Sequence, residues 1–130
     1  MRDLEGLHRH LAERQTMPFS WGDHANDCIS AAAAAVIAQG GEDHLAGLRW
    51  STEEEAEAAI EAAGGVETAL TAKLGEPIAP AFAQRGDIGA IMAGNRMILV
   101  VVEGDTLAGP GERGLRRLPR KLMVRAWRAL

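Results

Sequence analysis

The sequence predicts an α+β domain, with helices first and a small antiparallel sheet after them. Two observations carry that expectation. Up to Leu74 the apolar residues recur at three- and four-residue spacing or form a solid alanine-rich run. After Arg85-Gly86-Asp87 the period changes to short apolar stretches divided by two-residue turns. A chain of 130 residues is long enough for one hydrophobic core and too short for two. One domain over residues 1–130 is expected, with 1–18 as an amino-terminal helix and lead-in.

Asp3 can cap a first helix whose Leu4, Leu7 and Leu11 share one face. Met17-Pro18-Phe19 breaks it, and Trp21-Gly22 begins an irregular approach to the next element. From Cys28 to Gln39 nearly every residue is apolar, and five consecutive alanines favour a helix strongly. A helix apolar all round is a buried one, and alanines let its neighbours come close. Gly40-Gly41 ends it through a left-handed residue. Ser51 and Thr52 each have a glutamate three residues on, so a capped third helix follows and runs to Gly64-Gly65. "VETALTAKL" predicts a short fourth helix, before Pro77 and Pro80 force extended chain. "IGAIMA" and "MILVVVE" flank Gly94-Asn95, a hairpin signal. The run Met97 to Val102 predicts a central strand covered on both faces. Gly104-Asp105 is a second turn, "TLAG" a short strand and "PGERG" a third turn. The remainder predicts a strand, a helical turn and a final strand.

A net charge of −4 argues against non-specific nucleic-acid binding. Half of the fourteen Lys and Arg lie between Arg113 and Arg128, whereas Glu42 to Glu67 is acidic. Such runs are usually solvated faces, and a bipolar surface also suits contacts with other proteins. The opening "MRDLEGLHRHLAER" has no apolar core, so no export signal is expected. The longest apolar stretches are too short to span a bilayer, so no membrane insertion is expected. No cofactor is expected. A single cysteine excludes an internal disulfide framework, and no metal site is expected. His8 and His10, two apart on a helix, face different sides. Arg85-Gly86-Asp87 is expected to be a structural turn rather than an adhesion motif. Gly109 to Gly114 lacks the Lys-Ser/Thr and flanking elements of a phosphate loop.

Cys28 opens the buried helix directly after Asp27. A thiol in a first helical turn feels unpaired N–H groups and the positive end of the dipole, which favour thiolate. Backbone amides there could form part of an oxyanion hole. A nucleophile also needs a base, and all four histidines (His8, His10, His24, His44) lie before residue 45. His24 is the nearest in sequence. The plainer alternatives are that Asp27 or Asn26 caps the helix, Asp23 braces the Trp-Gly turn and Cys28 is a small buried residue. Trp21 and Trp127 are expected as core or lid residues, with Trp50 packing the acidic helix.

"FSWG" (19–22), "DC" (27–28), "RGD" (85–87) and "AWR" (126–128), in that order and spacing, resemble the NlpC-type branch of papain-like cysteine peptidases. More closely, they resemble a small family from phage and prophage tail gene clusters. The resemblance implies a papain-like, NlpC-type single domain. In that branch the catalytic histidine begins the strand after the Gly-Asp hairpin, a place that here falls near Met97, Ile98 or Leu99. It therefore implies a tail-tip or baseplate structural or assembly component on a scaffold that has lost its base. The virion tail, after assembly in the bacterial cytoplasm, is the expected location. Other tail proteins are the expected partners, with Arg113, Arg116, Arg117, Arg120 and Lys121 as contacts. The alternative is an active peptidase or amidase that cleaves peptidoglycan peptides, with Cys28 as nucleophile and His24 or a partner chain supplying the base. A binding module with a small ligand in the same cleft is a third class, for which the sequence offers no convergent polar set.

Overall fold

Four helices precede five strands: α1 (Leu4–Arg14), α2 (Cys28–Ala38), α3 (Glu53–Ala62), α4 (Val66–Leu74), β1 (Ile88–Ala93), β2 (Arg96–Val102), β3 (Thr106–Gly111), β4 (Gly114–Pro119) and β5 (Arg125–Trp127). The computed structural model describes residues 2–130. The sheet order is β4-β3-β2-β1-β5, and every neighbouring pair is antiparallel. This is the predicted α+β order.

Local chemistry sets the helix ends. The Asp3 carboxylate accepts from the Gly6 amide. Of the two capping registers the sequence offers, the chain uses Thr52, whose hydroxyl accepts from Glu55 N while the Glu55 carboxylate reaches back to Ser51 N. Leu7 and Leu11 are buried as expected, whereas Leu4 is 50% exposed. Contact between α1 and α2 is set beyond it, at Gly6, where any Cβ would run into the Ala38 carbonyl. His8 is exposed and His10 buried, on opposite sides of α1.

The helices pack on one face of the sheet, where Leu99 and Val101 of β2 meet Ala32, Ala35 and Val36 of α2. Val100 and Val102 point the other way, against Ala83 and Met123 from the irregular segments. The central strand is thus covered on both faces. β5 pairs with β1, and Trp127 is fully buried with its Nε1 3.2 Å from the Thr71 hydroxyl. The carboxy-terminal segment therefore packs on its own domain.

Asp87 joins the ends of the chain. Its buried carboxylate accepts from Arg2 Nη2 at 2.6 Å, Gln84 N at 2.8 Å and Ala129 N at 3.2 Å. The Arg-Gly-Asp turn is structural, and its aspartate is closed to solvent. Gly86 sits there at φ +95°, where the Gln39 side chain leaves no space for a Cβ.

One expectation needs correction. β3 does not stop before Pro110 but continues to Gly111, so its turn to β4 is only Glu112-Arg113. Leu115, opposite Pro110, donates outward to the Gln15 carbonyl, so the β3–β4 ladder asks no N–H of the proline. Among the described residues no helix is long and apolar enough to cross a membrane.

Candidate functional site

Pro110 does have a cost on its other side. β2 pairs with β3 only at Val101↔Ala108 and Val102↔Leu107. Continued two residues further, the register would set Leu99 opposite Pro110, which has no N–H for the Leu99 carbonyl. The ladder ends there, and the β1–β2 hairpin parts from the β3–β4 hairpin. Phe19 enters the gap, donating its amide to the Gly111 carbonyl. A cavity of about 470 Å³ opens along the split, lined in part by Phe19, Trp21, Cys28, Met97, Leu99 and Pro110. Phe19 and Trp21 meet edge to face, with centroids 4.9 Å apart.

Cys28 stands at the first turn of α2 beside this cavity, half-buried. Its thiol is pushed above the usual thiol range, chiefly by burial, with the Asp27 charge adding to the effect. Backbone hydrogen bonds from Leu99 and from Cys28 itself, and the more distant Arg96 charge, oppose the shift without reversing it. The helix start alone predicts a thiolate; desolvation outweighs it.

Asp27 is fully buried and caps α2. Oδ1 accepts from Ser30 N at 2.8 Å, and Oδ2 accepts from Gly22 N at 3.1 Å and Trp50 Nε1 at 2.9 Å. One carboxylate thus ties the helix start, the Trp-Gly turn and the indole that packs on Ala56 of α3. Asn26 has a separate task, holding the Met17 and Pro18 carbonyls and the Arg14 guanidinium. Asp23 braces the turn as expected, accepting from Trp50 N at 2.8 Å.

His24 is not brought to the thiol cavity. It sits at φ +60° on the surface, with Nδ1 3.3 Å from Asp23 and Nε2 2.9 Å from Asp43. Both ring nitrogens face carboxylates, whose bonds hold its pKa above the ordinary imidazole value. No histidine lines the cavity beside Cys28 among the described residues. On β2, where the family resemblance would place a base, the side chains are Met97, Ile98 and Leu99.

The basic segment divides. Arg113, Arg116 and Lys121 are exposed, and Arg117 reaches Glu103 at 3.0 Å. Arg120 is not available as a contact residue: its guanidinium donates to the carbonyls of Gly104, Pro80 and Ala83 at 2.7–3.0 Å. It fastens the loop that covers the second face of the sheet. Sequence reasoning also missed the Arg96 fork, which meets Glu53 at 2.9 Å and Glu57 at 2.6 Å at the cavity rim. Among the described residues no group of three His, Cys, Asp or Glu side chains is gathered to hold a metal ion.

A family model described as a domain of unknown function (DUF6950) matches residues 3–129. No curated protein matches the chain. No solved structure matches it either.

Proposed function

The chain belongs to the DUF6950 family, and from that premise we propose that it is a papain-like, NlpC-type scaffold without hydrolase chemistry. Its role is that of a structural or assembly component of a phage or prophage tail, at the tip or baseplate. The observation that carries the first part is the surroundings of Cys28. The thiol pKa is raised above its usual range, no imidazole among the described residues lines its cavity, and Asp27 is fully engaged by three structural donors. A cysteine nucleophile needs a group that accepts and returns its proton, and Met97, Ile98 and Leu99 cannot do so.

The tail assignment rests on the resemblance carried by residues 19–22, 27–28, 85–87 and 126–128. The bipolar surface supports it, with glutamates along α3 at one place and Arg113, Arg116, Arg117 and Lys121 at another. The partners are other tail proteins, and the site of action is the assembled virion tail.

Two measurements test the two parts separately. Purified peptidoglycan is incubated with the wild-type protein and with Cys28→Ala. The proposal expects no released peptides from either. Release by the wild type that vanishes in the variant would make the chain a thiol hydrolase with an unconventional base. For the tail assignment, the tagged protein is expressed during particle assembly and purified tails are assayed for it. Incorporation that falls on charge reversal at Arg113 and Arg116 supports the assignment. Tails that assemble normally without the protein and never contain it refute it.

A further inference from the structure

A second cavity of about 470 Å³, whose lining does not include Cys28, lies between α2 and the α3–α4 pair and shares Ile29, Ala56, Ile60 and Leu99 with the first. Its cause can be read from the side chains. α3 buries only Ala56 and α4 buries no residue, although Leu70 and Leu74 pack from α4 onto the main core. Ala32 and Ala33 of α2 face Ala56 and Ala59 of α3 and Ala69 of α4 across the space. Side chains of one carbon cannot span it. The lining follows α2 from Ile29 to Val36, about 10 Å at 1.5 Å per residue, so the space is elongated. The space is a cleft open to solvent along Leu48, Ala63 and Lys73, all exposed, and an apolar cleft of this kind accepts apolar molecules. Its volume falls among those of ligand pockets.

One end is chemically distinct. Lys73, His44 and Leu74 line both the cavity and a shallow recess outside it, where Gly40, Gly41 and Arg128 also lie. Glu42 lines the recess but not the cavity. Among the described residues the Lys73 ammonium has no carboxylate within 4 Å. An apolar slot that ends at an unpaired cation fits a molecule with an alkyl chain and an anionic head.

We propose that this cavity binds a single-chain anionic amphiphile, the chain lying among the alanines and the carboxylate or phosphate head meeting Lys73 and His44. The proposal rests neither on the chemistry of Cys28 nor on the tail assignment.

The test is calorimetric titration of the full-length protein with dodecanoate and dodecyl phosphate, each below its micellar concentration, and with dodecanol. One-to-one binding of an anionic ligand is expected, and the better of the two acids identifies the head. Lys73→Glu, at an exposed position, should weaken it about tenfold, the scale of one charge-assisted contact. Ala59→Phe should fill the space and abolish binding, with an unchanged circular dichroism spectrum. No binding of either acid to the folded wild type overturns the proposal. So does dodecanol binding as tightly as the acids with Lys73→Glu without effect, which would leave the cavity as an apolar surface for a protein partner.

Discussion

Replacing Asp27 by Asn separates a structural carboxylate from a chemical one beside Cys28. The change conserves size but exchanges one acceptor oxygen for an NH2 group. In the wild type Oδ1 serves Ser30 N, and Oδ2 serves Gly22 N and Trp50 Nε1. If the amide oxygen keeps the helix cap, its NH2 faces two donors. If the amide turns round, it faces the Ser30 amide instead. Either way at least one bond to a buried donor is lost and a donor is set against a donor. At about 1–3 kcal/mol for each unsatisfied buried group, Asp27→Asn should cost about 2–4 kcal/mol. Asp27→Ala removes the cap, worth about 1 kcal/mol, and strands two further donors, for about 3–7 kcal/mol in all. Asp3→Ala is the internal control: that carboxylate is exposed, accepts from Gly6 N alone, and should cost about 1 kcal/mol. The assay is equilibrium urea unfolding followed by tryptophan fluorescence, with the slope compared between variants. An Asp27→Asn protein that unfolds at the wild-type midpoint would refute the structural role.

Three further outcomes are expected. Iodoacetamide should label Cys28 of the native protein at pH 7 at least about tenfold more slowly than the urea-unfolded protein, because the residue is half-buried and desolvation raises the thiol pKa; equal rates would contradict the description of the site. His10 is buried, and desolvation together with the Arg14 charge lowers its pKa from 6.5 to about 4. The folded state favours the neutral ring, so its stability is complete above pH 6.5 and declines as pH falls toward 4. Allowing for solvent screening, unfolding free energy should drop by about 1–2 kcal/mol between pH 7.5 and 5, and His10→Gln should flatten this part of the profile. Arg120→Ala should cost about 2–3 kcal/mol through three lost carbonyl bonds, while Arg113→Glu and Arg116→Glu should stay within about 0.5 kcal/mol of wild type in the same urea assay.

Short-range signals served the sequence reading well. Asp3, Thr52 and Gly94-Asn95 act within four residues of themselves, and each does what its chemistry predicts. Apart from the end of β3, the elements are placed correctly for the same reason, since period and caps are local. The site was less legible because its bonds are distant. Asp27 reaches Trp50 over 23 residues, and His24 finds Asp43 over 19. No spacing rule could pair them. Arg120 looked like one cation in a basic run, and only the fold reveals the carbonyls of Pro80 and Ala83 beneath it. Pro110 falls in a predicted turn but lies within β3. Whether a proline breaks a strand depends on which neighbour its missing N–H would have served, and that is a property of the sheet. The absent base was visible without the fold, since no histidine follows His44.

Asp87 Oδ1 accepts at once from Arg2, at the start of the described chain, and from Ala129, at its end. A polypeptide that enters and leaves at one spot can be spliced into a surface loop of a host protein with short connectors and little strain on either fold. The same closeness makes the domain suited to circular permutation, with new ends cut at the Gly94-Asn95 turn. It also means that pulling on the two ends loads this carboxylate first, before the β1–β5 ladder comes under tension.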